Sequence, residues 1–170
     1  FNTAQKRAGR DDFRIIPNGS NGLEERLAVL WTEGVETGRL TPEEFVAATS
    51  TNIAKILNIY PKKGAIVEGA DADIVVWDPK ISKVISPANH HSVLDYNVFE
   101  GFKVKAQSRY TLNRGEVIWA WGQNSQPQPG RGRFIPRPAF PSAHSALSKW
   151  KVLNSPRRIE RDPLNIPAGI

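Results

Sequence analysis

Glu68-Gly69-Ala70-Asp71-Ala72-Asp73-Ile74-Val75-Val76-Trp77-Asp78-Pro79 reads as a turn that runs into a strand. The turn lies at Glu68 to Asp71, Asp71 and Asp73 flank Ala72 on one strand face, and Ile74 to Trp77 is a β-rich apolar run. Asp78-Pro79 is expected to stop it. Upstream of this stretch the apolar residues recur at helical spacing instead. Leu23, Leu27, Leu30, Trp31 and Val35 predict a helix over 23–37, with Gly38 as its stop. Thr41 is an N-cap, Pro42 takes the first helical position, and Glu44 falls where a capping box needs a carboxylate. Leu40 and Phe45 fill the two positions of a hydrophobic staple, and Val46, Ile53, Ile56 and Leu57 carry the apolar face to about Asn58. Both helices have enough apolar surface to be docked on something larger.

Downstream the segments are short. Ala65-Ile66-Val67, Val84-Ile85 and Phe102-Lys103-Val104-Lys105 are strand candidates. Tyr110-Thr111-Leu112, the turn Asn113-Arg114-Gly115 and Glu116-Val117-Ile118-Trp119 predict a hairpin. Gly122 to Gly130 has linker composition. The expected order is therefore two helices, a small all-β unit, and an arm.

The 170 residues, 39% hydrophobic, suffice for one domain or two partial ones. Absence of Cys excludes disulfides, and no apolar run approaches the length of a membrane span, so a soluble, cytoplasmic protein is expected. There is no Met, and the first residue is Phe1, which predicts a processed or truncated chain or a part of a longer one. The net charge of +6 lies wholly in the tail, where residues 131–170 hold eight basic side chains against two acidic ones. That tail has no recognisable nucleic-acid module. Its text Phe134-Ile135-Pro136-Arg137-Pro138-Ala139-Phe140 suits an extended arm laid on protein, so neither nucleic acid nor membrane is expected as a partner.

Candidate chemistry is sparse. His90 and His91 are adjacent and would point to opposite faces of a strand, and His144 stands alone in the tail. There is no His-x-His or His-Glu-x-x-His, so they read as surface or hydrogen-bonding histidines rather than metal ligands. Asp71 and Asp73 beside a Gly turn read as hairpin caps bonding backbone amides more readily than as an acid–base pair. No serine lies in an elbow, and no Gly-rich phosphate loop is present. Asn18, in Ile16-Pro17-Asn18-Gly19, is the one suggestive position. Pro17 fixes one dihedral and Gly19 releases the next, so the turn can present backbone N–H and C=O groups outward. Taken alone, it reads as an ordinary turn.

Several stretches together are more specific. Ile16-Pro17-Asn18-Gly19, Glu24-Glu25-Arg26, Thr49-Ser50-Thr51-Asn52-Ile53-Ala54-Lys55, Tyr60-Pro61-Lys62-Lys63-Gly64, Gly69 to Pro79, Tyr96-Asn97-Val98-Phe99-Glu100-Gly101 and Phe134-Ile135-Pro136-Arg137 stand in the order found in dihydropyrimidinases and D-hydantoinases. From about Phe1 to Phe140 the chain resembles the C-terminal part of that cyclic amidohydrolase family; the last thirty or so residues are expected to fall outside the likeness. The Asp-Ala-Asp strand alone would indicate only the wider amidohydrolase superfamily.

The resemblance implies an α/β fold: the C-terminal end of an amidohydrolase TIM barrel, then strands of a small β-sandwich, then an extended C-terminal arm. Residues 1–60 would end the (β/α)₈ barrel, residues 61–130 would supply the C-terminal part of the sandwich, and residues 131–170 would form a basic, Pro-rich arm between subunits of a homotetramer. Strands from the start of the family's chain would complete the sandwich. The implied reaction hydrolyses the ring amide of dihydrouracil, dihydrothymine or a hydantoin with a hydroxide held by two zinc ions. The implied ligands are a His-x-His pair, a carboxylated Lys, two further His and an Asp, and none maps onto this sequence. The segment is thus expected to hold no catalytic residue and no metal ligand, and to be inactive alone. Only Asn18 carries over, as a backbone group holding the substrate's imide edge. A non-catalytic relative resembling the collapsin response mediator proteins is the alternative; those proteins carry Glu where this chain has Asn18. A free-standing β-domain with a basic arm is a third reading, disfavoured because its strand edges and helices would lack cover.

Overall fold

The computed structural model describes residues 1–123, 128–139 and 141–159, with only the main chain of 141–143. They fall in two units, Phe1–Ile135 and Pro136–Ile170.

In the first unit Thr41 opens a helical run over 42–56. Thr41 Oγ1 accepts the N–H of Glu44 at 3.1 Å, and the Thr41 N–H donates to the Glu44 carboxylate at 2.8 Å. This is the capping box predicted from sequence. The run is α-helical at Pro42–Val46 and Asn52–Ile56, with a π-turn at Ala47–Thr51 between them. The helix before it is α-helical at Arg26–Leu30 and continues as a π-turn at Trp31–Val35. It begins three residues later than the spacing predicts, because Gly22 adopts φ +110° and Leu23 points into solvent at 77% exposure. Thr32 ties this helix to the sheet: its hydroxyl donates to Ala28 O at 2.7 Å and accepts the Lys105 N–H at 3.0 Å.

One antiparallel sheet follows, of β1 (Ile74–Val84), β2 (Lys103–Asn113) and β3 (Glu116–Ala120) in the order β1-β2-β3. The hairpin predicted at Asn113-Arg114-Gly115 joins β2 to β3, with Arg114 at φ +51° and Gly115 at φ +83°. Positive φ at both central residues gives the twist that two-residue hairpins favour.

Four strand expectations need correction. Pro79 does not stop β1; it falls where the register shifts between Asp78 and Ser82, on an edge strand, so its missing N–H breaks no ladder bond. Val84 is therefore the end of β1, not a separate strand. The segments read at 102–105 and 110–112 are one strand, carried through Ala106 at φ +66°. Ala65-Ile66-Val67 forms no strand; Ile66 is 83% exposed, and among the described residues no strand pairs with it.

The core sits where the helices meet β1 and β2. Trp31 and Phe45 meet edge to face with centroids 5.2 Å apart, and Trp77 lies 5.8 Å from each. Beneath them Ala28, Ile85 and Val104 are buried, flanked by Val29 and Phe99. Offset and edge-on rings add to the area they bury. The composition of helices and a small antiparallel sheet is compatible with an α/β fold.

In the second unit the expected extended arm is corrected at Pro141–Leu153, which is helical. Pro141 at the first position and the Pro-free text after it permit the helix that composition alone did not suggest. Residues 160–170 of the predicted arm, Phe140, and 124–127 of the predicted linker lie outside the described residues.

Candidate functional site

The turn at Asn18 is built by its neighbours. Asp12 caps the 3₁₀ turn Phe13–Ile15 by accepting the Arg14 N–H at 3.0 Å, and holds the Arg14 guanidinium at 2.8 Å. That pairing lowers the Asp12 pKa through the Arg14 side chain first and its N–H second. Gly9 packs so closely on Ile16 that a Cβ there would overlap the Ile16 side chain and lie 2.7 Å from its main-chain nitrogen. Pro17 is half-buried, Asn18 is exposed, and Gly19 turns the chain at φ +89°. Beyond the turn, the Asn21 side chain donates to Tyr96 O and accepts the Val98 N–H at 3.1 Å. Gly22 lies against Phe99, where a Cβ would meet the ring at 2.9 Å. Within the described residues neither the N–H nor the C=O of Asn18 has a hydrogen-bond partner, while the carbonyls on both sides, of Pro17 and Gly19, accept from Lys6. A rigid turn thus exposes one donor and one acceptor.

The paired aspartates do other work. Asp71 binds Lys62 at 2.8 Å and Lys63 at 2.9 Å, and those two ammonium groups, Lys62 foremost, hold its pKa at about 2. Asp73 pairs with Lys63 and accepts from Asn113 at 3.0 Å and from the Arg114 N–H at 2.9 Å. Burial works to raise its pKa but is outweighed by Lys63 and the Arg114 N–H, so it too is lowered. Asp73 bonds a main-chain amide as the sequence suggested, but it caps the distant β2–β3 turn and not the Gly69 turn beside it, and Asp71 is an ion-pair partner.

The histidines separate. His90 Nε2 lies 2.9 Å from Leu94 O and its Nδ1 lies 3.3 Å from the buried Asn97 amide. His91 meets Glu24 twice, through its N–H at 2.7 Å and its Nδ1 at 3.0 Å. Among the described residues no group of three or more His, Asp or Glu could hold a metal ion, so the residues present do not fit the zinc centre that the family resemblance implies.

Sequence reading missed one feature, a groove of about 720 Å³ between the start of the 26–35 helix and the sheet. Trp77, Trp119 and Trp121 line it, with the rings of His91 and Trp119 near-perpendicular and their centroids 4.9 Å apart. Among the described residues Trp77 Nε1 and Gln107 Nε2, buried at its wall, have no hydrogen-bond partner. The two-residue spacing of Trp119 and Trp121 was the available signal.

Comparison with known proteins decides the family. The amidohydrolase family model matches residues 6–118. The chain belongs to the amidohydrolase family. Within it, this amidohydrolase chain is 49% identical over 140 residues to the dihydropyrimidinase of Rattus norvegicus, covering 82% of this chain and 27% of that protein. It is 46% identical over 165 residues to the dihydropyrimidinase of Dictyostelium discoideum, covering 96% and 33%. That second alignment runs well past Phe140, so the likeness takes in more of the tail than the sequence suggested. A crystal structure of D-hydantoinase superposes with a TM-score of 0.76 at 45% identity, covering 81% of this chain and 30% of that one. The amidohydrolase chain thus falls in the dihydropyrimidinase and hydantoinase branch, and spans about a third of the length of the curated relatives it matches.

Proposed function

We propose that this chain is a segment of a zinc-dependent cyclic amidohydrolase that opens the ring amide of dihydropyrimidines, dihydrouracil and dihydrothymine, or of hydantoins. The unpartnered N–H and C=O of Asn18, in a chain of this family, carry the reading. A cyclic imide edge presents an N–H beside a C=O, which complements a main-chain acceptor beside a donor. Fixing that edge before reaction removes orientational freedom that the chemical step would otherwise have to supply. Main-chain groups held by a rigid turn do so without the rotamer entropy of a side chain.

The two zinc ions belong to this reading with all their ligands outside the segment, so the segment alone is inactive. Residues 1–60 end the (β/α)₈ barrel, with Val46, Ile53 and Ile56, exposed by 43–69%, as the surface that the rest of the barrel covers. Residues 61–130 give part of the sandwich, whose upstream strands seat in the tryptophan-lined groove and supply acceptors to Trp77 and Gln107. Residues 131–170 reach a neighbouring subunit of a cytoplasmic homotetramer. Exposed Leu147, Trp150 and Leu153, three residues apart on the tail helix, support that contact. The non-catalytic alternative, a collapsin-response-mediator-like relative, is weaker, because Asn18 brings no negative charge to the ring edge.

Metal analysis with a dihydrouracil ring-opening assay tests the proposal. The full-length protein is expected to hold zinc and turn over, and the segment to do neither. Stoichiometric zinc on the segment, or an inert full-length protein, would overturn it.

A further inference from the structure

Lys6 projects from the short helix Thr3–Arg7, and that helix is fixed at its start. The Asn2 side chain accepts the Gln5 N–H at 2.9 Å, the Gln5 side chain accepts the Asn2 N–H at 2.8 Å, and the Thr3 N–H donates to Asp95 at 2.9 Å. From this anchored position Lys6 Nζ donates to Pro17 O and, at 2.6 Å, to Gly19 O. Its Nζ also lies over the Phe1 ring, 6.0 Å from the centroid. Among the described residues no carboxylate pairs with Lys6, so its ammonium is committed to the turn.

The planarity of the peptide gives that arrangement its meaning. Pro17 C=O and Asn18 N–H belong to one trans peptide and point in opposite directions. Drawing Pro17 O toward Nζ therefore turns the Asn18 N–H away from it. Gly19 O belongs to the peptide after Gly19, so Lys6 also fixes the plane on the far side. The Asn18 C=O lies in the peptide between these two pinned planes. An ammonium, with three donors and no acceptor, can hold two carbonyls at once.

We infer that Lys6 is a positioning residue for the cyclic imide substrate: its ammonium sets the direction in which the Asn18 donor and acceptor meet the ring edge. The inference rests on the substrate reading of Asn18 proposed above. Lys6 touches no substrate atom and acts through the turn.

The test is steady-state dihydrouracil ring opening by the full-length holoenzyme. Lys6→Met keeps the stem and removes the donors, and is expected to raise KM about tenfold, with bound metal and thermal midpoint unchanged. Lys6→Arg restores a cation with several donors and is expected to recover most of the loss. Should Lys6→Met not fold, Lys6→Gln replaces it, with a KM between wild type and that loss. Gly19→Pro, which deforms the turn directly, is the reference. If Gly19→Pro costs activity while Lys6→Met or Lys6→Gln leaves KM unchanged, the Lys6 inference alone fails. If Gly19→Pro leaves KM unchanged, the substrate reading of Asn18 fails and takes this inference with it. Equal losses in Lys6→Met and Lys6→Arg, with a lowered thermal midpoint, would reduce Lys6 to packing and overturn the inference.

Discussion

The Asp73 carboxylate accepts the main-chain N–H of Arg114, 41 residues away in sequence, at 2.9 Å. Through this bond, and one from the Asn113 amide at 3.0 Å, the turn between β2 and β3 is fastened to the start of β1. The same carboxylate pairs with Lys63, so one side chain ties three segments together. Asp73→Ala should cost about 1–3 kcal/mol, the range for removing the acceptor of partly buried bonds. Asp73→Asn keeps an oxygen for the Arg114 N–H and should cost less. Urea unfolding midpoints of both variants check this; an Asn variant as unstable as the Ala variant would show that charge alone matters.

Acid should break the neighbouring ion pairs of Asp71 with Lys62 and Lys63 by protonating its carboxylate. Its folded pKa of about 2 lies below the value of about 3.9 expected in the unfolded chain. A depressed carboxylate stabilises the fold above the unfolded pKa, and that contribution is lost as pH falls through the folded one. The difference in unfolding midpoint between wild type and Asp71→Asn should therefore be constant above about pH 5 and close between about pH 4 and 2. A difference that stays constant down to pH 2 would mean that Lys62 and Lys63 do not hold Asp71 in the folded state.

Gly64 lies against the 42–56 helix, at φ +78°, with the site of a Cβ only 2.6 Å from Ala54 Cβ. The Thr51 hydroxyl donates to its carbonyl at 2.8 Å. Gly64→Ala combines left-handed strain with overpacking and should cost about 2–4 kcal/mol. Adding Ala54→Gly should relieve the overpacking but not the strain, so a thermal-unfolding double-variant cycle should recover only part of the loss. Full recovery would place the whole cost in the contact.

Legibility from sequence followed the distance over which each feature is fixed. Thr41 and Glu44 form their capping box within one turn, and the text predicted it. The hairpin at Asn113-Arg114-Gly115 is local in the same sense. Pro79 misled because its cost depends on whether β1 is an edge strand, which pairing decides and local text does not. The late start of the 26–35 helix depends on Gly22 packing against Phe99, far along the chain. The helix at Pro141–Leu153 was masked by the Pro-rich text around it. At the candidate site, Asn18 was readable through Pro17 and Gly19, but its support from Lys6 was not. A lysine's partners eleven and thirteen residues on leave no periodic trace. The tryptophan groove brings Trp77, Trp119 and His91 together from separate segments, and only the Trp119–Trp121 alternation hinted at it.

The central claim is that the main chain at Asn18, and not its side chain, receives the ring edge of a cyclic amide. The most direct test is KM for dihydrouracil in the full-length protein carrying Asn18→Ala or Gly19→Pro. Asn18→Ala, which keeps the N–H and C=O, should stay within about threefold of wild type, and Gly19→Pro, which cannot adopt the positive φ, should raise KM by about a hundredfold or abolish turnover. A Gly19→Pro enzyme with normal KM, or an Asn18→Ala enzyme as impaired as Gly19→Pro, would contradict it.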